Sequence, residues 1–141
     1  MTEFGIYPND EQAQVLEKLS QINYDGPLHY LNLLAFKDKA EYPADHEFVN
    51  KGLSGKDAYN SYYGPKAFEH VTKRGGRLTV LADVEACIIG NGGQWHQVAT
   101  MEYPTVSAFI DMGNDPDFQA ATLHRQAGLS ETIVLITKPL L

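Results

Sequence analysis

Two neighbouring residues, His124 and Arg125, carry the side chains best suited to acid–base chemistry and anion binding. Apolar residues around them repeat with helical spacing, which places both on or beside the buried side of a helix. A guanidinium there could hold a carboxylate through two hydrogen bonds, and an imidazole could exchange a proton near neutral pH. The alternative is structural, with Arg125 pairing with an acid such as Asp57 or Glu102.

Asn32 lies in the middle of the apolar run Leu28–Phe36. A buried amide costs free energy unless its donors and its acceptor are paired. In a functional interpretation Asn32 faces a cavity and binds the carbonyl or enolate of a ligand. In a structural one it forms a hydrogen bond to a neighbouring loop.

Aromatic residues could line a site for a flat substrate. Gly64-Pro65 strengthens this interpretation, because a broken helix can open a pocket beside it. The alternative is core packing or a dimer interface. The residues concerned are Tyr59, Tyr62 and Tyr63 on one predicted helix, with Trp95 and His96 on a predicted strand.

The other motifs in the sequence do not indicate a functional site. The five histidines lack metal-binding spacing, so we expect no metal site and no cofactor. Gly90-Asn91-Gly92-Gly93 joins two predicted strands, so it is not a phosphate loop. Cys87 falls within a predicted strand and is interpreted as an inert core residue.

The composition narrows the class of protein. Eighteen acidic residues against eleven basic ones, without a basic cluster, argue against nucleic-acid binding. No apolar run approaches the roughly 20 residues that cross a bilayer, and the N-terminal residues do not resemble a secretory signal. We therefore expect a cytoplasmic protein whose partner is a small molecule or a second copy of the chain.

The elements that would position these residues follow from hydrophobic periodicity and breaker residues. Leu28–Phe36 reads as a strand with two buried faces, and 37–53 as a long loop that covers a site or forms a dimer arm. The other predicted elements are a helix over Asn9–Ile22, a helix capped by Ser54 that kinks at Gly64-Pro65 and ends near Arg74, strands Arg77–Gly90 and Gln94–Tyr103 joined by a hairpin at 91–93, a short helix after Pro104-Thr105, a helix from Asp115-Pro116 to Gly128, and a strand over Thr132–Lys138.

Without the first helix, this order is β-α-β-β-α-β, which predicts an α+β, ferredoxin-like fold with a four-stranded antiparallel sheet. We expect one domain over residues 1–141, with an added helix at 9–22 and a ferredoxin-like core at 28–139. Helices cover only one face of such a sheet. The apolar residues on the other face predict a homodimer in which two sheets pack together.

The chain also resembles a known family. The resemblance covers roughly residues 28–139 and rests on three motifs in order: Tyr30–Lys37, Leu53–Tyr59, and Asp115–Gln119 running into His124-Arg125. They are similar to the uncharacterised family called domain of unknown function 1330. That family belongs to the dimeric α/β-barrel superfamily, which includes cofactor-independent monooxygenases, muconolactone isomerase and haem enzymes. The resemblance implies a dimeric barrel but transfers no activity.

Two functional hypotheses follow. One is a cofactor-independent enzyme acting on a small carbonyl or aromatic compound, with His124 or Tyr63 moving a proton. The ligand would be bound by Asn32, Arg125, Tyr59, Tyr62 and Trp95. The other is a non-catalytic ligand-binding or structural homodimer. A cavity touching both Asn32 and a tyrosine of the second helix is the condition for the enzyme hypothesis.

Overall fold

A computed structural model describes residues 5–19, 21, 24 and 26–141, with the side chain of Leu16 left out. Helix α1 spans Asp10–Leu19. Asn9 begins it as predicted, because its side chain accepts from the Gln12 amide at 2.8 Å and its own amide donates to the Gln12 side chain. The predicted end at Ile22 lies outside the described residues.

Four antiparallel strands form one sheet in the order β2-β3-β1-β4. β1 has the predicted bounds, Leu28–Phe36. Its neighbours in the sheet are β3 (Gln97–Tyr103) and β4 (Leu129–Thr137), and β2 (Arg77–Asp83) lies outside β3. This confirms the predicted four-stranded antiparallel sheet of an α+β fold.

The helices follow the predicted order. Ser54 begins the second helical region by accepting from the Asp57 amide. That region consists of α2 (Gly55–Asp57), a π-helical segment (Ala58–Tyr63) and α3 (Gly64–Lys73), here called the central helix. Thr105 caps α4 (Val106–Gly113), and Asp115 caps α5 (Pro116–Gly128). None of the helices within the described ranges has the length and apolar character needed to cross a membrane.

The helices pack on one face of the sheet. Alternate residues of β1, including Tyr30 and Leu34, point toward them and share two apolar clusters with Val71 of α3 and Tyr59 of the π-helical segment. The opposite face is called the open sheet face here. Its larger apolar side chains are Leu31 and Leu33 of β1, Val98 of β3, Val80 of β2, and Ile133 and Leu135 of β4.

Of the kink or brief break expected at Gly64-Pro65, the break is wrong, because the helix runs through this point without interruption. The helix passes through one wider, π-helical turn, in which the Gly64 amide donates to Tyr59 O, and then continues as α3. Proline lacks the amide hydrogen that a regular helix would use, and Pro65 falls at the start of the next α-helical segment, where that hydrogen is not needed.

The predicted hairpin at 91–93 is also wrong. β2 ends at Asp83 and β3 begins at Gln97, so residues 84–96 form an irregular segment, called the arm here. Its Gly90 has a φ of 88°, a left-handed conformation that turns the chain within the arm. Cys87 lies exposed in the arm and is not a core residue. β4 begins at Leu129, earlier than predicted, because it follows α5 directly.

Two glycines allow β1, the central helix and α5 to meet closely. The Gly55 amide donates to Lys37 O at 3.0 Å, and the Lys37 amide donates to Gly128 O at 2.8 Å. A Cβ atom at Gly55 would collide with both of those carbonyl oxygens. Only glycine fits at this junction, which fixes where the central helix begins.

We therefore predict that Gly55→Ala lowers the free energy of unfolding by about 2 kcal/mol or more, because backbone atoms have to move. Gly93→Ala is the control, since no atom lies within 4 Å of a Cβ built there. Urea denaturation of both variants measures the difference. Equal stability of the two variants would contradict the close junction.

Candidate functional site

The π-helical segment sends neighbouring side chains in different directions. Tyr59 and Tyr63 point inward, with ring centroids 4.9 Å apart, and Tyr59 also packs on Phe36 at 5.5 Å. Asn60 faces the sheet at β3, and Tyr62 faces α5 and the 37–53 loop. A regular α-helix would space these four side chains differently, and π-helical turns are frequent at functional sites.

Asn60 lines the smaller of two adjoining clefts, which have volumes of about 330 and 480 Å3. Both lie where β2 and the ends of β1 and β3 meet the start of the central helix, and Lys56 and Asp83 line both of them. The smaller is also lined by Asn60, Leu81, Ala82 and Gln97, and the larger by Phe36, Lys37, Asp38, Ser54, Val84 and His96.

A reciprocal pair of side-chain amides forms one wall of the smaller cleft. The Asn60 side chain donates to Gln97 Oε1 at 2.9 Å, and the Gln97 side chain donates back to Asn60 Oδ1 at 3.0 Å. Gln97 is only 3% exposed. Each amide satisfies the other, so the wall is polar and keeps a fixed geometry.

Lys56 supplies both clefts with a hydrogen-bond donor, and His96 supplies one to the larger cleft. Lys56 Nζ lies 3.3 Å from Asp83 Oδ1 on the surface, where such a pair contributes little and a ligand can displace it. His96 Nδ1 accepts from the Phe36 amide at 2.9 Å, so the neutral ring carries its proton on Nε2. The imidazole also stacks on the Phe36 ring, which holds it in place.

Asn32 is engaged by the main chain of its own sheet. Its amide nitrogen donates to Tyr30 O at 3.1 Å and to Ala99 O at 3.0 Å. The side chain is half-buried on the helix-facing side, and neither of the two clefts touches it. Both hydrogens of the Asn32 side-chain amide are thus donated to strand carbonyls. The predicted ligand-binding role of Asn32 stays a prediction.

Arg125 lies on α5 close to the inward-facing tyrosines. Its Nη1 donates to Ile6 O at 3.1 Å, which joins α5 to the segment before α1. Burial raises the pKa of Tyr59 and of Tyr63, and the positive charge of Arg125 partly opposes that rise. Glu102, one of the acids considered as its partner, instead contacts Arg77 and His29.

His124 belongs to an aromatic cluster that joins the 37–53 loop to the helices. Its Nδ1 lies 2.7 Å from the Tyr42 hydroxyl, and its ring stacks on Tyr62 at 5.3 Å. His46 and Phe48 complete the cluster, with ring centroids 5.6 and 5.0 Å from His124. The ammonium of Lys51 lies 4.3 Å above the Phe48 ring. These contacts hold the loop on the central helix and α5.

The electrostatics of the aromatic cluster favour neutral side chains. Burial lowers the pKa of His124, the charge of nearby His46 lowers it further, and Glu47 acts in the opposite direction. Burial, with a smaller effect of Tyr62, raises the pKa of Tyr42 to about 12. A neutral imidazole can accept the tyrosine hydrogen at neutral pH, so the two side chains stay joined there.

The predicted site residues therefore fall in separate places. Tyr62 and His124 meet in the aromatic cluster, whereas Tyr59, Tyr63 and Arg125 lie on the inner side of the helices. Trp95 lies in the arm, where a Cβ at Gly92 would be 3.7 Å from its ring. The cleft residues Lys56, Asn60, Asp83 and Gln97 were not among the predicted site residues, because no motif marks a π-helical turn.

The chain is similar to a solved structure of a protein of unknown function from Rhodopseudomonas palustris. The two are 30% identical over 97% of this chain and 98% of that one, with a TM-score of 0.82. This chain belongs to the same family. A structure of the methylated form of that protein has the same identity over 99% of this chain and 97% of that one, with a TM-score of 0.83.

A dabb family protein with a ferredoxin-like fold, from Mesorhizobium loti, is 16% identical over 82% of this chain and 98% of that one, with a TM-score of 0.47. No family model and no curated protein matches the chain. The family assignment of this chain therefore rests on its similarity to the Rhodopseudomonas protein.

The aromatic cluster predicts a pH dependence of stability. The pKa of His124 is lower in the folded chain than its ordinary value of 6.5, so the unfolded chain binds the proton more tightly. The stability linked to His124 is complete above about pH 6.5 and falls below it. Thermal unfolding between about pH 7.5 and pH 5.5 measures this loss, and His124→Gln should reduce it. An equal pH dependence in the variant would contradict the assignment.

Proposed function

We propose that this protein is a homodimeric small-molecule-binding protein whose ligand occupies the cleft between the central helix and β2. The observation that supports it is the Asn60–Gln97 pair, which gives the smaller cleft a fixed polar wall beside Lys56, with His96 in the adjoining larger cleft. Ligand sites typically combine apolar surface with a few convergent polar groups.

The lining favours a small carboxylate or carbonyl compound with a flat apolar body. Phe36, Leu81 and Val84 offer the apolar surface. An anionic or carbonyl oxygen of the ligand would accept from Lys56 Nζ, with Asp83 displaced, and from His96 Nε2. This is the ligand class expected from the sequence, bound by different residues.

Catalysis is not part of this proposal. The enzyme hypothesis depended on a cavity that touches Asn32 and a tyrosine of the second helix, and neither cleft is lined by Asn32 or by a tyrosine. The contacts of His124 and Tyr42 account for the loop position without a substrate. The non-catalytic alternative is therefore the better supported of the two hypotheses.

The homodimer is proposed from the open sheet face. Leu135 is 50% exposed there, beside the half-buried Leu31 and Leu33 of the neighbouring strand. A second copy that packs the same face against it removes the apolar area of both chains from water. Membership of the domain of unknown function 1330, with one domain over residues 1–141, belongs to the same proposal.

The ligand site is tested by a thermal-shift screen with small aromatic and aliphatic carboxylates and phenols. A ligand that binds the native state raises Tm by mass action. Lys56→Met should abolish at least about four-fifths of the shift from a carboxylate hit, because the cation is lost. Lys73→Met is the control, since Lys73 is also 54% exposed and also pairs with an aspartate. An unchanged shift in Lys56→Met would contradict the proposed site.

The sheet-face dimer is tested by Leu135→Glu, which places a charge in the proposed interface. Sedimentation velocity should show the dimer dissociation constant raised more than about tenfold, because burying a carboxylate is costly. Val134→Glu is the control: Val134 is 45% exposed and points to the other face of the same strand. Circular dichroism verifies that both fold. Equal effects of the two changes would contradict an interface on this face.

A further inference from the structure

The arm presents the most exposed pair of neighbouring large apolar side chains in the described part of the chain outside its C-terminus. Ile88 and Ile89 are each 90% exposed. They are adjacent in sequence, so they cannot both be turned inward by a simple strand alternation. Two isoleucines left in water contribute almost no burial free energy to the fold of the single chain.

The tip of the arm has a defined shape. The Cys87 thiol lies 3.2 Å from both Ile89 O and Gly90 O, and Gly90 turns the chain with a φ of 88°. On the return side, the Trp95 amide donates to Gly92 O at 3.3 Å. The two isoleucines are thus presented on a turned tip.

The backbone of the arm is available for pairing with another chain. Among the described residues, the last main-chain hydrogen bond that extends the β2–β3 pairing joins the Val84 amide to His96 O. Beyond it, the amides of 85–91 have no main-chain partner within the described ranges. Main-chain amides without a partner, beside exposed apolar side chains, form a surface that another polypeptide can bind.

We propose that the arm packs Ile88 and Ile89 onto a second copy of this chain; the inference rests on the proposed homodimer. The arm is continuous with the open sheet face, because Val80 and Ala82 of that face lead directly into it. A copy that covers β2 on this face would lie next to the start of the arm at Val84. Glu85 is the only charged residue in 84–93, so the arm adds almost no repulsion between two chains of net charge −7.

In a twofold dimer, the arm and the open sheet face of each chain are buried in the same interface. In an isologous dimer each copy contributes one arm and receives the other, so four isoleucines leave water together. A different protein as the occupant would have to fit the arm without using the open sheet face. The homodimer accounts for both exposed surfaces with one contact.

The test is the dimer dissociation constant of the double variant Ile88→Ser, Ile89→Ser, measured by sedimentation equilibrium. We expect it to rise at least about tenfold relative to wild type. Leu140→Ser is the control, because Leu140 is 96% exposed and lies outside the arm. Both changes replace exposed side chains, so both variants should keep the wild-type Tm at concentrations where the chain is monomeric.

Hydrogen exchange gives a second measurement on the unmodified chain. The amides of 84–93 should exchange more slowly as the protein concentration passes through the dissociation constant. A dimer whose dissociation constant and arm exchange do not change overturns the role of the arm and leaves the sheet-face dimer standing. A wild-type chain that stays monomeric overturns both proposals, and an arm protected only in the presence of another protein overturns the role of the arm in the dimer.

Discussion

The rest of the structure depends on one constraint: the sheet has two apolar faces, and the helices of the described chain pack on one of them. Tyr30 and Leu34 of β1 are buried by the central helix and its neighbours. The same strand turns Leu31 and Leu33 the other way, toward a face that carries exposed Leu135. We propose that a second chain buries that face, and the exposed apolar side chains on it are the reason for the homodimer proposal.

The local signals in the sequence predicted the elements that depend on local chemistry. The bounds of β1, the cap at Ser54 and the helix starts after Pro104-Thr105 and at Asp115-Pro116 could be predicted, because turn residues and capping hydroxyls or carboxylates act within a few residues. The π-helical segment and the arm could not. Apolar alternation continues from Arg77 to Ile89, and nothing in it marks Asp83 as the end of β2.

The candidate site could be predicted from local sequence signals even less well than the fold. Asn32 was singled out because an amide in an apolar strand needs partners, and its partners are the carbonyls of Tyr30 and Ala99. The cleft instead depends on Asn60 and Gln97, which are 37 positions apart in sequence and are joined only by tertiary structure. Asn60 reaches Gln97 of β3 because it lies on the π-helical segment, and no sequence motif marks either residue.

We propose above all that two copies of the chain cover each other's open sheet face. Light scattering coupled to size-exclusion chromatography, with the wild-type protein at micromolar concentration, measures the mass in solution directly. The expected mass is twice the 15.7 kDa mass of one chain. A mass of one chain at that concentration would contradict it.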